Sequence, residues 1–364
     1  MKNEILSSRT RTVGIVLALT WSLPHPARPA EPRVELLSAV ELAQGTLFEG
    51  TCVGGLSALA YQASSGRYLA LSDSGDDARL YTLDLPIQPS DEGPRLGPPT
   101  VERVVRLLTR EGLPYPGGRV DPEGLALVDA TTAFLSSEGK PDLGVPPFVD
   151  LVDVESGAHL ASVAVPPAFT PRWDGDLQVA GVRPNQGFEA LALGPGGADL
   201  HVVAESALMQ DAPASPPAGT DLQTRWLHFR REGDRIRQVA EYRYPLRRPE
   251  GEVVAHGLVE ILALEEDRFF ALERTYAFDR GLTVRLFVAD PPTTDGGLVR
   301  KALLLDFAEA GIELENYEGL ALGPPLPDGG ESLLVVGDND DTACATPPEE
   351  RTRPTRFLLF RLRR

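Results

Sequence analysis

A short apolar motif that begins with an acid recurs along the chain. Its copies are Ser57–Tyr61 (SALAY, without the acid), Glu123–Leu127 (EGLAL), Glu189–Leu193 (EALAL), Glu260–Leu264 (EILAL) and Glu318–Leu322 (EGLAL). Successive copies are 66, 66, 71 and 58 residues apart. After a turn, a second apolar run follows each copy and also ends in an acid: Asp73, Glu138, Glu205, Glu273 and Asp338. If the two runs pair as antiparallel strands, both acids of a repeat lie at the same end of the sheet.

Nine carboxylates would then converge on one end of a ring of sheets, which we call the mouth. They are the predicted metal ligands: Asp73, Glu123, Glu138, Glu189, Glu205, Glu260, Glu273, Glu318 and Asp338. Like charges held this close cannot all stay ionised unless protons or cations lie between them. The set suits Ca²⁺, which takes about six to eight oxygen ligands, and the loops 73–77 and 338–341 offer more oxygens. Because His and Cys are scarce, a soft-metal site is disfavoured, and Ca²⁺ is the predicted cofactor.

Three motif acids are the predicted catalytic residues, acting as metal ligands or as the general base: Glu123, Glu189 and Glu318. Four basic side chains near the acids in sequence are predicted to bind substrate: Arg79, Lys140, Arg274 and His256. Asp121, Asn185 and Asn316 precede motif acids in the entry loops and add oxygen atoms. A mixed rim of acids and cations suits a phosphorylated ligand, because Arg or Lys neutralises the oxygens that a metal does not. In the structural alternative, the acids cap backbone N–H groups or pair with Arg and bind nothing.

The elements that carry these acids are short strands. A third apolar run follows the second acid in every repeat, and a fourth run is visible in four repeats, as in His159–Val165. The fifth repeat lacks a fourth run, whereas the N-terminal segment Val34–Leu42 is a strand without a repeat. The pattern predicts an all-β fold, a single β-propeller of five four-stranded blades whose last blade is completed by the N-terminal strand. A sixth, degenerate blade in the connector Pro166–Gln186 is the alternative.

The two cysteines bear on how the ring closes. Cys52 precedes the first strand of blade one, and Cys344 follows the second strand of the last blade. The loops that hold them lie on the same face of neighbouring blades, so a Cys52–Cys344 disulfide is predicted to clasp the ring. The alternative is two free thiols.

Composition and the N-terminus indicate where the protein works. Residues 1–30 combine a basic start, an apolar run over Val13–Leu23 and a proline-rich end, which is typical of a secretory signal peptide. An uncleaved membrane anchor is the alternative. We expect residues 31–364 to form one propeller domain, periplasmic or secreted and monomeric. The net charge of −18 becomes about −21 without the basic leader, which disfavours nucleic-acid partners.

Several segments together resemble the phytase-like family described as having "esterase-like activity of phytase". The resemblance spans roughly residues 50–361 and rests on the order and spacing of these segments: Gly54–Tyr61, Leu71–Asp73, Arg79–Tyr81, Asp121–Leu125, Ser136–Gly139, Asn185–Glu189, Asn316–Leu320 and Thr355–Phe357. It implies a propeller-like fold, export and hydrolysis of phosphate or other esters. The fourth repeat, Gly257–Glu260, departs most from this pattern.

Together these observations predict an exported ester hydrolase, specifically a Ca²⁺-assisted phosphomonoesterase that acts on small molecules at the mouth. A serine esterase is disfavoured, because Ser57 lies in Gly55–Leu59 (GLSAL) and the sequence contains no Gly-x-Ser-x-Gly elbow. Two alternatives remain open. One is a non-catalytic propeller that binds a ligand or partner around a structural metal. The other is a calcium-dependent lactonase-type propeller.

Overall fold

The computed structural model describes residues 31–213, 216–233, 235–265, 267–339, 344–347, 350 and 353–364. The predicted signal peptide and residues 340–341 of the predicted oxygen-rich loop lie outside the described residues. Pro32–Arg364 forms one compact unit. Within the described residues, no helix has the length and apolar character that a membrane crossing requires.

The chain begins with the strand β1 (Arg33–Leu42) and the short pair β2 (Leu47–Phe48) and β3 (Thr51–Cys52). Blade 1 consists of β4 (Leu56–Gln62), β5 (Arg67–Ser72), β6 (Arg79–Asp84) and β9 (Thr100–Arg106), with the pair β7 (Ile87–Gln88) and β8 (Arg95–Leu96) between its last two strands. Blade 2 consists of β10 (Pro122–Leu127), β11 (Thr132–Ser137), β12 (Phe148–Asp153) and β13 (His159–Ser162). Two 3-10 turns, Pro141–Leu143 and Pro167–Phe169, border this blade.

The connector to blade 3 carries only the hairpin of β14 (Arg172–Asp174) and β15 (Leu177–Ala180). Blade 3 consists of β16 (Phe188–Leu193), β17 (Asp199–Ala204), β18 (Asp221–Glu232) and β19 (Arg235–Arg247). Blade 4 consists of β20 (Val253–Glu265), β21 (Arg268–Ala277), β22 (Gly281–Asp290) and β23 (Arg300–Asp306). Blade 5 consists of β24 (Asn316–Leu322), β25 (Glu331–Asp338), β26 (Thr355–Arg363) and the N-terminal β1.

The ring closes where β1 pairs with β26. The pairing is antiparallel and runs from Arg33 opposite Arg363 to Leu42 opposite Thr355. The prediction that the N-terminal strand completes the last blade is therefore confirmed, as is the count of five blades. Closure leaves each blade flanked on both sides, so sheet edges are short and protected.

A disulfide reinforces this closure. Cys52 and Cys344 are bonded across 292 residues, with their Cα atoms 5.8 Å apart, which confirms the predicted pairing. In the chain-entropy picture a crosslink over such a long loop contributes about 5 kcal/mol to stability.

The hydrophobic core lies between the blades rather than in one central mass. Five clusters of buried side chains each join two neighbouring sheets, for example Tyr68 and Tyr81 of blade 1 with Phe357 of blade 5. The motif strands β4, β10, β16, β20 and β24 are innermost. Their Leu and Ala side chains line an apolar channel cavity of about 140 Å³. Each blade packs against a neighbouring blade on both faces. This packing fixes the ends of the inner strands, which form the mouth.

Candidate functional site

The motif acids reach the mouth through β-bulges at the start of each inner strand. In blades 1, 3 and 5 the pairing skips the first motif residue, which is Ser57, Glu189 or Glu318. In blade 2 the irregularity covers Glu123 and Gly124. A bulge adds one residue to a strand and re-aims its side chain, which lets an acid leave the alternation of the pleat. The repeated motif therefore encodes a repeated bulge.

Blade 4 departs from the sequence prediction by one residue. Its bulge falls at Val259, and Leu258 pairs with Glu273. In the other blades the residue before the bulge pairs with the residue before the second acid, as Phe188 does with Ala204. By this register Val259 takes the place of the motif acid, and Arg274 takes the place of the second acid.

The correction removes Glu260 and Glu273 from the predicted ring of acids at the mouth. Glu260 borders the apolar channel cavity, where its Oε1 accepts the Ile261 N–H at 2.8 Å, and burial raises its pKa well above the usual value. Glu273 accepts the Tyr244 hydroxyl at 2.6 Å and pairs with Lys301. Seven carboxylates of the predicted nine keep their mouth positions: Asp73, Glu123, Glu138, Glu189, Glu205, Glu318 and Asp338.

Blade 2 holds the tightest group of acids. Asp121, Glu123 and Glu138 each offer one oxygen, and these atoms lie within 4.8 Å of one another. Burial raises the pKa of Glu123 well above its usual value, and the charges of Glu138 and Asp73 raise it further. Burial and the charge of Glu205 raise the pKa of Glu138 in the same way. Three crowded carboxyls that are largely buried favour bound protons or a bound cation.

Neighbouring groups orient this cluster. The Lys140 ammonium pairs with Asp121, and its side chain is 29% exposed, so it still faces solvent. The Gly187 N–H donates to Glu138 Oε1 at 2.8 Å, and Glu138 is also hydrogen-bonded to Glu189. Lys140 and Glu189, both predicted site residues, are thus brought together with the cluster. Asp121 is a full member of it, although the sequence marked it only as an entry-loop oxygen.

The other side of the mouth is organised around Arg274. Its guanidinium donates to Glu318 and Asn316 and lies 3.7 Å from a Glu205 oxygen. The Asn316 amide in turn donates to Glu318 and to Asp338, both at 3.0 Å. Burial raises the pKa of Glu318 to about 8 despite the opposing effect of Arg274. The Arg274 guanidinium therefore interacts with more than one buried acid.

A cavity of about 600 Å³ opens onto this side. Its lining includes Asp73, Arg274, Asn316, Asp338 and Asn339 on the polar side, with Ala255, Tyr276, Leu282 and Leu314 beside them. Asn339 is buried and accepts the Gly55 N–H at 3.3 Å, which links blade 5 to blade 1 at the mouth. A pocket with a charged end and apolar walls can hold a small molecule in one orientation.

Two predicted substrate-binding residues lie elsewhere. Arg79 is buried, and its guanidinium donates to the Asp77 and Cys52 carbonyls and to the Tyr81 hydroxyl at 2.6–2.7 Å. Through its bond to the Cys52 carbonyl, Arg79 fixes the segment that contains this cysteine. His256 is also buried and lines a cleft with Lys301. Its Nδ1 and the Thr275 hydroxyl form a hydrogen bond of 2.8 Å. Burial lowers the pKa of His256 to about 4, so it is neutral at physiological pH.

Glycines permit the close packing of the inner strands. A Cβ at Gly124 would lie 2.6 Å from Ser136 Oγ and 2.9 Å from the Glu189 carbonyl oxygen. One at Gly257 would lie 2.2 Å from Glu205 Cγ. Glycine at position 124, in the Glu-Gly motif, and at position 257, two residues before the bulge of blade 4, therefore leaves room for atoms that a side chain would displace.

The chain belongs to the phytase-like family described as "Esterase-like activity of phytase", which it matches over residues 51–341. This bears out the resemblance seen in the sequence. No curated protein matches the chain.

Several solved structures share the general shape at low identity. A protein of unknown function from Dyadobacter fermentans is 12% identical with a TM-score of 0.43, over 91% of this chain and 99% of that one. A putative oxidoreductase (glucose dehydrogenase) from Thermus thermophilus is 14% identical with a TM-score of 0.38, over 92% and 100%. Kuenenia stuttgartiensis hydrazine synthase is 10% identical with a TM-score of 0.34, over 80% of this chain and 59% of that one. Similarities this distant do not bear on what this chain does.

Proposed function

We propose that this protein is an exported hydrolase of phosphoric esters that uses a divalent cation at the mouth of the propeller. The carboxylate ligands favour Ca²⁺ as this cation. The observation that carries the proposal is the group of Asp121, Glu123 and Glu138 oxygens within 4.8 Å, with Lys140 beside it. Membership in a family described by esterase-like activity supports ester hydrolysis as the reaction class. The cavity of about 600 Å³ on the Arg274 side of the mouth supports a small molecule as the substrate.

The residues present fit a hard cation. All three groups of the cluster offer carboxylate oxygen, which suits Ca²⁺, and neither His nor Cys is among them. Burial and neighbouring acids raise the pKa values of Glu123 and Glu138, so a cation or bound protons would stabilise this cluster. A cation held by these residues would supply Lewis-acid stabilisation to phosphate oxygens and activate water.

The chain's own cations would orient the ester. Lys140 lies at the edge of the cluster and is partly exposed, so it can contact a phosphate oxygen as a point charge. Arg274 is fixed by Glu318 and Asn316 and lines the cavity. We propose that these two cations, Lys140 of blade 2 and Arg274 of blade 4, contact phosphate oxygens and that Glu189 and Glu318 hold or transfer protons.

The test is hydrolysis by the purified mature chain. The substrates are p-nitrophenyl phosphate, p-nitrophenyl acetate and phytate, each with EDTA and again after Ca²⁺ is restored. Phosphate turnover that disappears with EDTA and in a Glu123→Gln, Glu318→Gln double variant supports the proposal. Acetate turnover that survives chelation would instead remove the metal from the chemistry. No turnover at all, with a calcium-dependent melting temperature, would favour a non-catalytic binding propeller.

Export is part of the same proposal. The Cys52–Cys344 disulfide is consistent with an oxidising compartment, and the leader-like composition of residues 1–30 supports secretion. Expression of the full chain should yield a processed protein outside the cytoplasm whose N-terminus begins near residue 31. An unprocessed protein that stays with the cells would contradict this location.

A further inference from the structure

The cavity at the mouth has an apolar wall that the phosphate chemistry does not use. Ala255 pairs with Tyr276, and Tyr276 pairs with Leu282, so the three residues form one row across β20, β21 and β22. All three line the cavity. Side chains opposite each other on neighbouring strands share a face of the sheet. The row is therefore a continuous apolar surface rather than scattered exposed residues.

The row lies directly beside the charged end of the cavity. Arg274 and Tyr276 are two residues apart on β21, so their side chains lie on the same face of the sheet, about 7 Å apart along the strand. Both line the cavity, and Arg274 is the residue that joins Glu318 and Asn316. A ligand anchored at Arg274 would meet the Tyr276 ring with whatever group follows its charged end.

The exposure of this wall points to a ligand. Tyr276 is 42% exposed, and its ring meets Phe278 edge to face at 6.0 Å. Leu282 and Leu314 are only half-buried at the cavity wall. An aromatic side chain held at a cavity edge offers contact area to a flat or branched apolar group at little entropic cost.

Charge disfavours a densely phosphorylated ligand in the same place. Among the residues that the structure describes, the charged side chains lining the cavity are Asp73, Glu315 and Asp338 against Arg274 and Arg353, and Arg274 is already bonded to Glu318. A ring bearing many phosphates would need more cations than this lining offers, and it would press charge against the apolar row.

We propose that the substrate is a monoester with an apolar alcohol part, such as an aryl group, which lies on the Ala255–Tyr276–Leu282 row while its charged end faces Arg274. This inference rests on the proposed function for the reaction class. Within that reaction class, it specifies the alcohol part of the substrate and makes Tyr276 a specificity-determining residue.

The test compares two monoesters of equal charge, 2-naphthyl phosphate and glycerol 2-phosphate. In Tyr276→Ala, kcat/KM for the naphthyl ester should fall by about tenfold, while that for the glycerol ester changes by less than about twofold. Comparing the variant with wild type for each ester cancels their different intrinsic reactivities. Leu282→Ser should act in the same direction, and Tyr276→Phe, which keeps the ring, should behave like wild type.

Leu303→Ala is the matched control, since Leu303 is a 53%-exposed apolar residue on β23 of the same blade and does not line the cavity. An equal effect of Tyr276→Ala on both esters, or none on either, would overturn the inference even if hydrolysis itself holds. If neither ester is hydrolysed, calorimetric binding of 2-naphthyl phosphate and of inorganic phosphate decides. A tenfold loss for the naphthyl compound alone in Tyr276→Ala would support the apolar subsite although the proposed reaction fails, and equal binding to both proteins would overturn it.

Discussion

Blades 2 and 4 are copies of the same sequence repeat, but they place the two acids of that repeat differently. In blade 2 the motif acid and the second acid meet at the mouth, where Glu123 and Glu138 join Asp121. In blade 4 the corresponding positions are held by Val259 and Arg274, and the blade's own acids, Glu260 and Glu273, face the channel and a cleft. One blade concentrates negative charge, and the other supplies the cation opposite it.

The difference arises from where the bulge falls. A shift of one residue along a strand exchanges the side chains on its two faces, so Glu260 on β20 and Glu273 on the neighbouring β21 both leave the mouth. Glu260 then stands at the position that Gly124 holds in blade 2, and a basic residue arrives at the ring of acids. The mouth is therefore polarised, with a cluster of acids in blade 2 and an Arg-centred network in blades 4 and 5.

The largest effect should follow from breaking the blade 2 cluster. Asp121→Asn with Glu123→Gln removes two of its three carboxyl groups, and kcat for p-nitrophenyl phosphate should fall about a thousandfold or more, because the cation that we propose these acids hold would be lost. The control is Glu260→Gln, a motif acid outside the mouth, which should change kcat by less than about threefold. Similar losses in both variants would mean that the two blades do not differ in function.

A second comparison sets the basic side chain of blade 4, Arg274, against that of blade 2, Lys140. Arg274→Met leaves Glu318 and Glu205 buried without their partner, so the free energy of unfolding should fall by about 3–5 kcal/mol in EDTA. Lys140→Met removes a partly exposed cation and should cost about 1 kcal/mol or less. Urea denaturation measures both. Equal costs would show that Arg274 is not the centre of a buried network.

The packing role of the motif glycine should give a smaller effect. Gly124→Ala places a Cβ against Ser136 and the Glu189 backbone, so the free energy of unfolding should fall by about 1–3 kcal/mol. Gly194→Ala is the control, because its Cβ would have only ordinary contacts, the nearest at 3.4 Å from Asp199 Cβ. If Gly124→Ala is as stable as Gly194→Ala in urea, the inner strands are not packed as described.

The smallest effect concerns the pH dependence that Glu260 contributes. Its folded pKa lies above the usual value, so the stability it contributes is present below about pH 4.5 and is lost as pH rises through the folded pKa. Glu260→Gln should therefore lose less stability than wild type as the pH rises from about 5 to about 8. Parallel unfolding curves for the two proteins at both pH values would contradict this.

Much of the fold is local in the sequence. Alternating apolar runs and turn residues predict the five blades, and the missing fourth run of the last repeat predicts that β1 completes it. The disulfide follows from the same closure. These features depend on strand order alone, which repeats make visible.

The placement of side chains in blade 4 depends on the bulge position, which the apolar pattern leaves ambiguous. Glu260–Leu264 matches the motif by its letters, but Gly257–Val259 matches the three residues that end at the bulge in blades 1 and 3, Gly55–Ser57 and Gly187–Glu189. The second alignment is the one that the register supports. Arg79 could not be placed from sequence either, because two of its three hydrogen-bond partners are backbone carbonyls that no side-chain pattern reveals.

The most direct test of the account is calcium binding to the chelator-stripped protein, measured by titration calorimetry near neutral pH. The account predicts saturable Ca²⁺ binding to wild type and to Glu260→Gln, and its loss in the Asp121→Asn, Glu123→Gln double variant. The absence of Ca²⁺ binding in wild type, or undiminished binding in the double variant, would contradict a cation site in blade 2.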